Sequence, residues 1–208
     1  MKKMDYKIVL ASKSPRRKEI LEMAGFEFDI WPSTKDEIII STNPSEVCVE
    51  LSRQKAIDVA SQIKTFNDEN TELVTPQNVM VIGSDTIVSI DNEILGKPKD
   101  EAQAFEMLNK LSGKTHTVYT GVTLVFMSKD GRVGEYSFFD STDVTFYHLD
   151  EDEINEYIAT GSPLDKAGAY GAQDMASRFV KKLDGSFHNV MGFPISRLCY
   201  ELKNLNVI

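Results

Sequence analysis

At 208 residues and 41% hydrophobic content, the chain can bury a proper core as a single domain spanning 1–208, with room for two lobes around a cleft. A formal net charge of -9 argues against a general nucleic-acid or anionic-membrane surface, and an acidic chain with a locally basic pocket points to a small anionic ligand. Cys48 and Cys199 stand far apart without CxxC-type spacing, so neither a disulfide framework nor a zinc site follows.

The start, Met-Lys-Lys-Met-Asp-Tyr, has no signal-peptide h-region, and no apolar run reaches transmembrane length, which makes the cytoplasm the expected compartment. Residues 8–11 read as a buried strand. Ser12-Lys13-Ser14-Pro15-Arg16-Arg17 then turns into a helix, with Ser14 at the N-cap, Pro15 at the first helical position and Gly25 as the stop. The first-turn amides of such a helix carry partial positive charge and form a ready anion site. Arg16 and Arg17 add forked donors matched to phosphate oxygens. Basic residues at a helix start oppose its dipole, so a polyphosphate-binding turn is the better reading than a solubilising one.

A short strand at 27–30 and a polar loop at 33–42 come next. Asn43-Pro44 opens a long helix through Ile63, with Val47, Leu51, Ala56, Val59, Ala60 and Ile63 roughly on one face. Residues 65–78 are polar and turn-rich and read as an exposed loop. A second buried strand at 79–83 is predicted to end at Ser84-Asp85-Thr86, followed by a hairpin of 87–90 with 93–95. Asp100 caps a helix carrying Ala104, Phe105, Leu108 and Leu111, and Gly113 stops it. Alternating segments at 115–126 and 133–147 flank a turn at 128–131. An acidic-start helix at 150–159 ends at Gly161. A Gly-rich loop at 165–171 leads to a predicted strand-turn-strand at 179–190, and Phe193-Pro194 opens the last helix. Strict βαβ alternation is missing, so the expected class is α/β with a long mixed sheet and helices on both sides.

Asp85 is expected at the carboxyl end of a buried strand, where open α/β sheets place ligands. A carboxylate there binds Mg²⁺ through oxygen or takes a proton from an attacking water, although a lone Asp more often caps a hairpin. Lys97, in Gly96-Lys97-Pro98, offers a point charge for phosphate. Lys55 lies mid-helix with no certain facing, and a surface lysine is its ordinary reading. Glu37, within Lys35-Asp36-Glu37, is a loop carboxylate whose ordinary state is solvation. In Asp165-Lys166-Ala167-Gly168-Ala169-Tyr170-Gly171-Ala172-Gln173 the small residues let backbone approach a ligand closely. Gln173 both donates and accepts, as recognition of a base edge requires. A tight turn explains the glycines of this run but not its Asp165-Lys166 pair. His116, His148 and His188 lack metal-like spacing and read as packing or surface residues.

Six stretches stand in the order of one family: the opening Ser12 to Arg17 motif, Gly83-Ser84-Asp85-Thr86, Leu95-Gly96-Lys97-Pro98, Leu111-Ser112-Gly113, the run from Asp165 to Gln173, and Val190-Met191-Gly192-Phe193-Pro194. From about Ile8 to Leu198 the chain resembles the Maf family of nucleoside triphosphate pyrophosphatases. The resemblance implies a fold like that of the inosine triphosphate pyrophosphatases, an elongated mixed sheet with a deep cleft between two lobes. It implies hydrolysis between the α- and β-phosphates with a divalent cation, Mg²⁺ or Mn²⁺. By motif position, Asp85 resembles the family's catalytic acid/base, with Lys55 and Lys97 in its catalytic set. Ser12, Arg17, Lys55 and Lys97 match phosphate-site positions, and Glu37 with Asp85 the metal side. Arg16, Thr86 and Gln173 match specificity positions and together resemble the branch acting on dTTP and UTP. The alternatives are the same chemistry on 7-methyl-GTP or another purine triphosphate, and a nucleotide-binding regulator of cell division. A homodimer is expected only from the resemblance. This chain departs from the family pattern at Ser84, at Ala172 and above all at Asp174, where Gly is usual, and the last departure bears on substrate preference.

Overall fold

The computed structural model describes residues 6–69 and 77–208. In chain order its elements are β1 (Lys7–Leu10), α1 (Pro15–Met23), β2 (Phe28–Ile30), α2 (Pro44–Glu69), β3 (Val79–Ile90), β4 (Glu93–Leu95), α3 (Glu101–Leu111), β5 (Thr115–Met127), β6 (Val133–Phe146), α4 (Glu151–Ile158), β7 (Val180–Asp184), α5 (Phe187–Val190) and α6 (Ile195–Asn204), with three 3-10 turns between α4 and β7. The strands form one mixed sheet in the order β2-β1-β3-β5-β6-β7, with β4 beside β3. Strand β1 pairs parallel to β2 and β3, whereas β3 with β4 and β6 with β7 are antiparallel. The expected α/β mixed sheet is present. Among the described residues no helix is long and apolar enough to cross a membrane.

Contacts group the described residues into two compact units, one within Met1–Asp85, Gly121–Phe139 and Phe193–Ile208, the other within Thr86–Thr120 and Asp140–Gly192. The first buries a layer in which Ala56, Val59, Ala60 and Ile63 of α2 meet Val9, Val79, Val81 and Val125 of the sheet. Small residues let the helix sit unusually low on this sheet. A side chain at Gly83 would meet the Ser52 carbonyl at 2.2 Å, and one at Gly121 would meet the Cys48 carbonyl at 2.2 Å. The second unit packs Ala104, Leu108 and Leu111 of α3 and Ile154 and Tyr157 of α4 with Val88, Val118, Phe146 and Phe179.

Helix ends follow local chemistry. The Ser14 hydroxyl accepts from the Arg17 amide with Pro15 opening α1, and Gly25 leaves α1 at φ +79°. Asp100 caps α3 through the Gln103 amide, and Asp150 with Glu153 forms a full capping box on α4.

Three expectations are corrected. Helix α2 runs to Glu69 rather than stopping at Ile63, because Phe66 packs edge-on against Trp31 and gives the polar continuation an apolar contact. The rest of the expected loop, 70–76, lies outside the described residues, as does the chain start at 1–5. The second strand predicted within 179–190 is instead the helical turn α5. Ser186 caps it, and the buried Asn189 carboxamide donates to the Val118 carbonyl and the Thr142 hydroxyl. Most consequentially, β3 does not end at Ser84-Asp85-Thr86 but continues unbroken to Ile90, so Asp85 sits mid-strand. Polar residues are tolerated inside a strand when each has a partner, and here each does.

Candidate active site

The opening motif folds as a built turn. The Ser12 hydroxyl accepts from the Ser14 amide at 3.2 Å and from Arg17 Nη1 at 3.1 Å, so one oxygen ties the strand end to the first turn of α1. Ser12 is buried, Arg16 and Arg17 half-buried. Burial pulls the Arg17 guanidinium below its ordinary range, opposed by the charge of Asp85; Arg16 lowers it further and Glu37 raises it. An anion brought beside this guanidinium would offset the loss of hydration that burial imposes.

Those carboxylates are brought to one cation. The Lys55 ammonium bonds Asp85 Oδ1 and stands 2.9 Å from Glu37 Oε1. The Lys55 and Asp85 side chains are only 16% and 14% exposed, so this pair is shielded and the ordinary surface-lysine reading fails. Lys55 reaches the strand because α2 lies so close to Gly83, two residues before Asp85.

Glu37 has no regular element to place it. The segment from Trp31 to Ser41 is instead strapped along α2 by side chains four residues apart. Gln62 accepts from the Trp31 indole at 2.9 Å, and buried Asp58 accepts from the Ser33 hydroxyl and the Thr34 amide at 2.9 and 3.0 Å. Gln54 accepts from the Ile38 amide at 2.9 Å and donates to the Ile38 carbonyl, Glu50 accepts from the Ile40 amide, and Glu46 from the Ser41 hydroxyl. Burial alone would raise the Asp58 carboxyl, but the Thr34 amide, the Ser33 hydroxyl and Lys35 together bring it below its ordinary value. Sequence reasoning missed these positioning residues. Their signal was present as the four-residue spacing of Glu46, Glu50, Gln54, Asp58 and Gln62, the geometry of a single helix stripe.

Ser12, Arg17, Glu37, Lys55 and Asp85 therefore gather in the first unit, with Arg16 beside Arg17. Thr86, Lys97 and Gln173 belong to the second. Thr86 Oγ1 lies 3.0 Å from Thr120 Oγ1, which donates to the Asn189 carbonyl at 3.0 Å, so Thr86 is tied through a hydroxyl chain to the residue before Val190. Lys97 is exposed just after β4, and the neighbouring Gly96 carbonyl accepts from the Gly168 amide at 3.0 Å, joining the Lys97 turn to the Gly-rich loop. Gln173 is exposed at a turn closed by the Asp174 amide on the Gly171 carbonyl at 3.2 Å. Asp174 does not simply face open solvent: it accepts from Tyr157, Ser162 and the Ala176 amide. The Asp165-Lys166 pair is explained as well, since the buried Lys166 ammonium binds Asp165 and both oxygens of Ser162. His116 is a packed residue, bonded to the Tyr170 hydroxyl at 2.8 Å, and burial lowers it to about 4.

Among the described residues no group of three or more His, Cys, Asp or Glu side chains is arranged to hold a metal ion. Glu37 and Asp85 nonetheless fit a hard divalent cation, because Mg²⁺ is ordinarily bound through one or two carboxylates together with substrate phosphates.

A Ser–Arg anion turn beside two carboxylates joined by a lysine is the equipment of a phosphate-ester or anhydride hydrolase. The chain belongs to the Maf family, whose model, described as Maf-like protein, matches residues 7–205. A relative from Agathobacter rectalis, named dTTP/UTP pyrophosphatase, is 54% identical over 96% of this chain and 98% of its own. One from Lachnoclostridium phytofermentans with the same name is 45% identical over 97% and 96%. A solved nucleoside-triphosphatase / dITP/XTP pyrophosphatase from Mycobacterium abscessus aligns over 97% of this chain and 95% of its own at 11% identity, with a TM-score of 0.38.

Truncating the anion turn has a measurable consequence. Arg17→Ala is expected to weaken nucleotide binding and turnover together by about tenfold at low salt, with a smaller loss at high salt where the remaining charges are screened. Steady-state kinetics at two ionic strengths measure this; unchanged kinetics would remove Arg17 from the phosphate site.

Proposed function

We propose that this chain hydrolyses dTTP and UTP to the nucleoside monophosphate and pyrophosphate, acting on free nucleotides in the cytoplasm. The observation that carries the reading is the Lys55 ammonium joining Asp85 to Glu37 beside the Ser12–Arg17 turn, a proton acceptor and cationic groups assembled in one place. Arg16, Arg17, Lys55 and Lys97 stabilise charge on the phosphates, and Ser12 holds Arg17 in register. Asp85 accepts the proton of the attacking water as its oxygen bonds to phosphorus and the α–β bridging bond breaks. Glu37 and Asp85 hold Mg²⁺ or Mn²⁺, which supplies neutralisation of phosphate charge when bound. Thr86 and Gln173 read the base, Gln173 by donating and accepting at once against the O4 and N3–H edge shared by uracil and thymine. The two relatives' names support this base choice over a purine or 7-methyl-GTP substrate.

The test is a nucleoside triphosphate panel assayed for pyrophosphate release with Mg²⁺ or Mn²⁺. dTTP and UTP are expected to lead. A purine triphosphate as clear favourite would overturn the base choice, and release of orthophosphate in place of pyrophosphate would overturn the reaction.

A further inference from the structure

Gln173 stands at the third position of the four-residue turn Gly171-Ala172-Gln173-Asp174, closed by the Asp174 amide on the Gly171 carbonyl. Both ends of that turn are anchored to one phenol. The Gly171 amide donates to the Tyr157 hydroxyl at 3.2 Å, and the same hydroxyl donates to the Asp174 carboxylate, 3.1 Å from each oxygen. The carboxylate is further fixed by the Ser162 hydroxyl at 2.7 Å and the Ala176 amide at 2.9 Å, with the Lys166 ammonium 3.5 Å away. Tyr157 is fully buried on α4, edge-on to Phe179, so the anchor cannot drift. The exposed Gln173 side chain thus springs from a backbone whose two flanks are immobilised, while its own length is left to meet a ligand.

We infer that Asp174 and Tyr157 are positioning residues for base selection: they clamp the Gln173 turn so that its carboxamide reaches an imide edge from one fixed point of the backbone. This rests on the reading of Gln173 as the base-contacting residue. A carboxamide turns over about its own side-chain bonds, so what a fixed turn sets is the distance and angle at which it meets a base, and a loose turn lets it shift to fit a cytosine edge as well. Four acceptor contacts converge on Asp174, and an asparagine there keeps one accepting oxygen and sets an N–H₂ against donors.

The full-length enzyme tests this through Asp174→Asn, Tyr157→Phe and the double variant. kcat/KM is measured for dTTP, UTP, CTP and GTP, and amide hydrogen exchange is followed at Gly171 and Asp174. The expected result is a fall of about tenfold in the dTTP-to-CTP ratio in each single variant, no further fall in the double, and faster exchange at both amides. Tyr157→Phe keeps the ring in the core, so it decides the matter even if Asp174→Asn folds poorly. Ratios unchanged while exchange rises, or one common loss across all four nucleotides, would overturn the proposal and leave the clamp a purely structural one. The wild-type panel separates this from the proposed function. If another base leads there, the dTTP/UTP reading falls, and the ratio favouring that base replaces dTTP-to-CTP in the same test.

Discussion

Asp85→Asn is expected to lower turnover by about 10²-fold or more while the protein stays folded, the loss that removal of a general base produces. Asparagine matches aspartate in size but cannot accept a proton from water, and it offers no charge to Lys55 or to a divalent cation. The fold should survive because Lys55 keeps Glu37 at 2.9 Å, so no buried ammonium is left alone. Asp85 also lies in the middle of β3, where pairing with β1 at Val79 to Ile82 and with β4 at Val88 to Ile90 holds both ends of the strand. Pyrophosphate release from dTTP gives the rate and circular dichroism checks the fold. Near-normal turnover in a folded variant would remove Asp85 from the chemistry.

Gly121→Ala is expected to cost about 3 kcal/mol or more, at the upper end of overpacking effects. The added methyl would stand 2.2 Å from the Cys48 carbonyl oxygen, 2.3 Å from its carbon and 2.6 Å from the Val49 nitrogen. All three are helix backbone, which has no rotamer to change, so α2 itself must lift from the sheet. Gly83→Ala meets the same helix one turn on, at the Ser52 carbonyl and the Ala56 amide. For a chain of this size the Gly121 change corresponds to a melting temperature lower by roughly 6–12 °C. Activity should fall beyond what unfolding explains, because lifting α2 draws Lys55 from Asp85. Gly134→Ala is the control: no atom lies within 4 Å of the added carbon, and a shift within about 0.5 kcal/mol is expected. Thermal melts of the three variants measure the difference. Equal melting temperatures would mean that the close approach of helix to sheet carries no stability.

Much of the fold was legible because its signals are local. Ser14-Pro15 and Gly25 bound α1, Asp100 and Gly113 bound α3, Asp150 and Gly161 bound α4, and in each case a side chain or a positive φ acts within a few residues of itself. The buried face of α2 was also readable, since Val47, Leu51, Ala56, Val59 and Ile63 recur at helical spacing and all are buried. The Ser12 to Arg17 segment could be recognised as a capped helix start for the same reason. What the local pattern misread was β3. Gly83-Ser84-Asp85-Thr86 has the composition of a turn, yet it continues as strand because partners remote in sequence satisfy it: Lys55 for Asp85, Thr120 for Thr86, and the backbone of α2 against Gly83.

The sequence by itself determined the ends of α1, α3 and α4, the mixed character of the sheet and the residue types available for phosphate chemistry, all of which depend on spacing along the chain. Only the tertiary structure decided that Lys55 faces inward, that Glu37 shares its ammonium with Asp85, and that the Asp174 carboxylate accepts from Tyr157 and Ser162. Helical periodicity gives a lysine a direction but not a partner, and a loop carboxylate has no periodicity at all. The partner is set by which backbones can approach, and here two glycines on the sheet let α2 come close enough to choose.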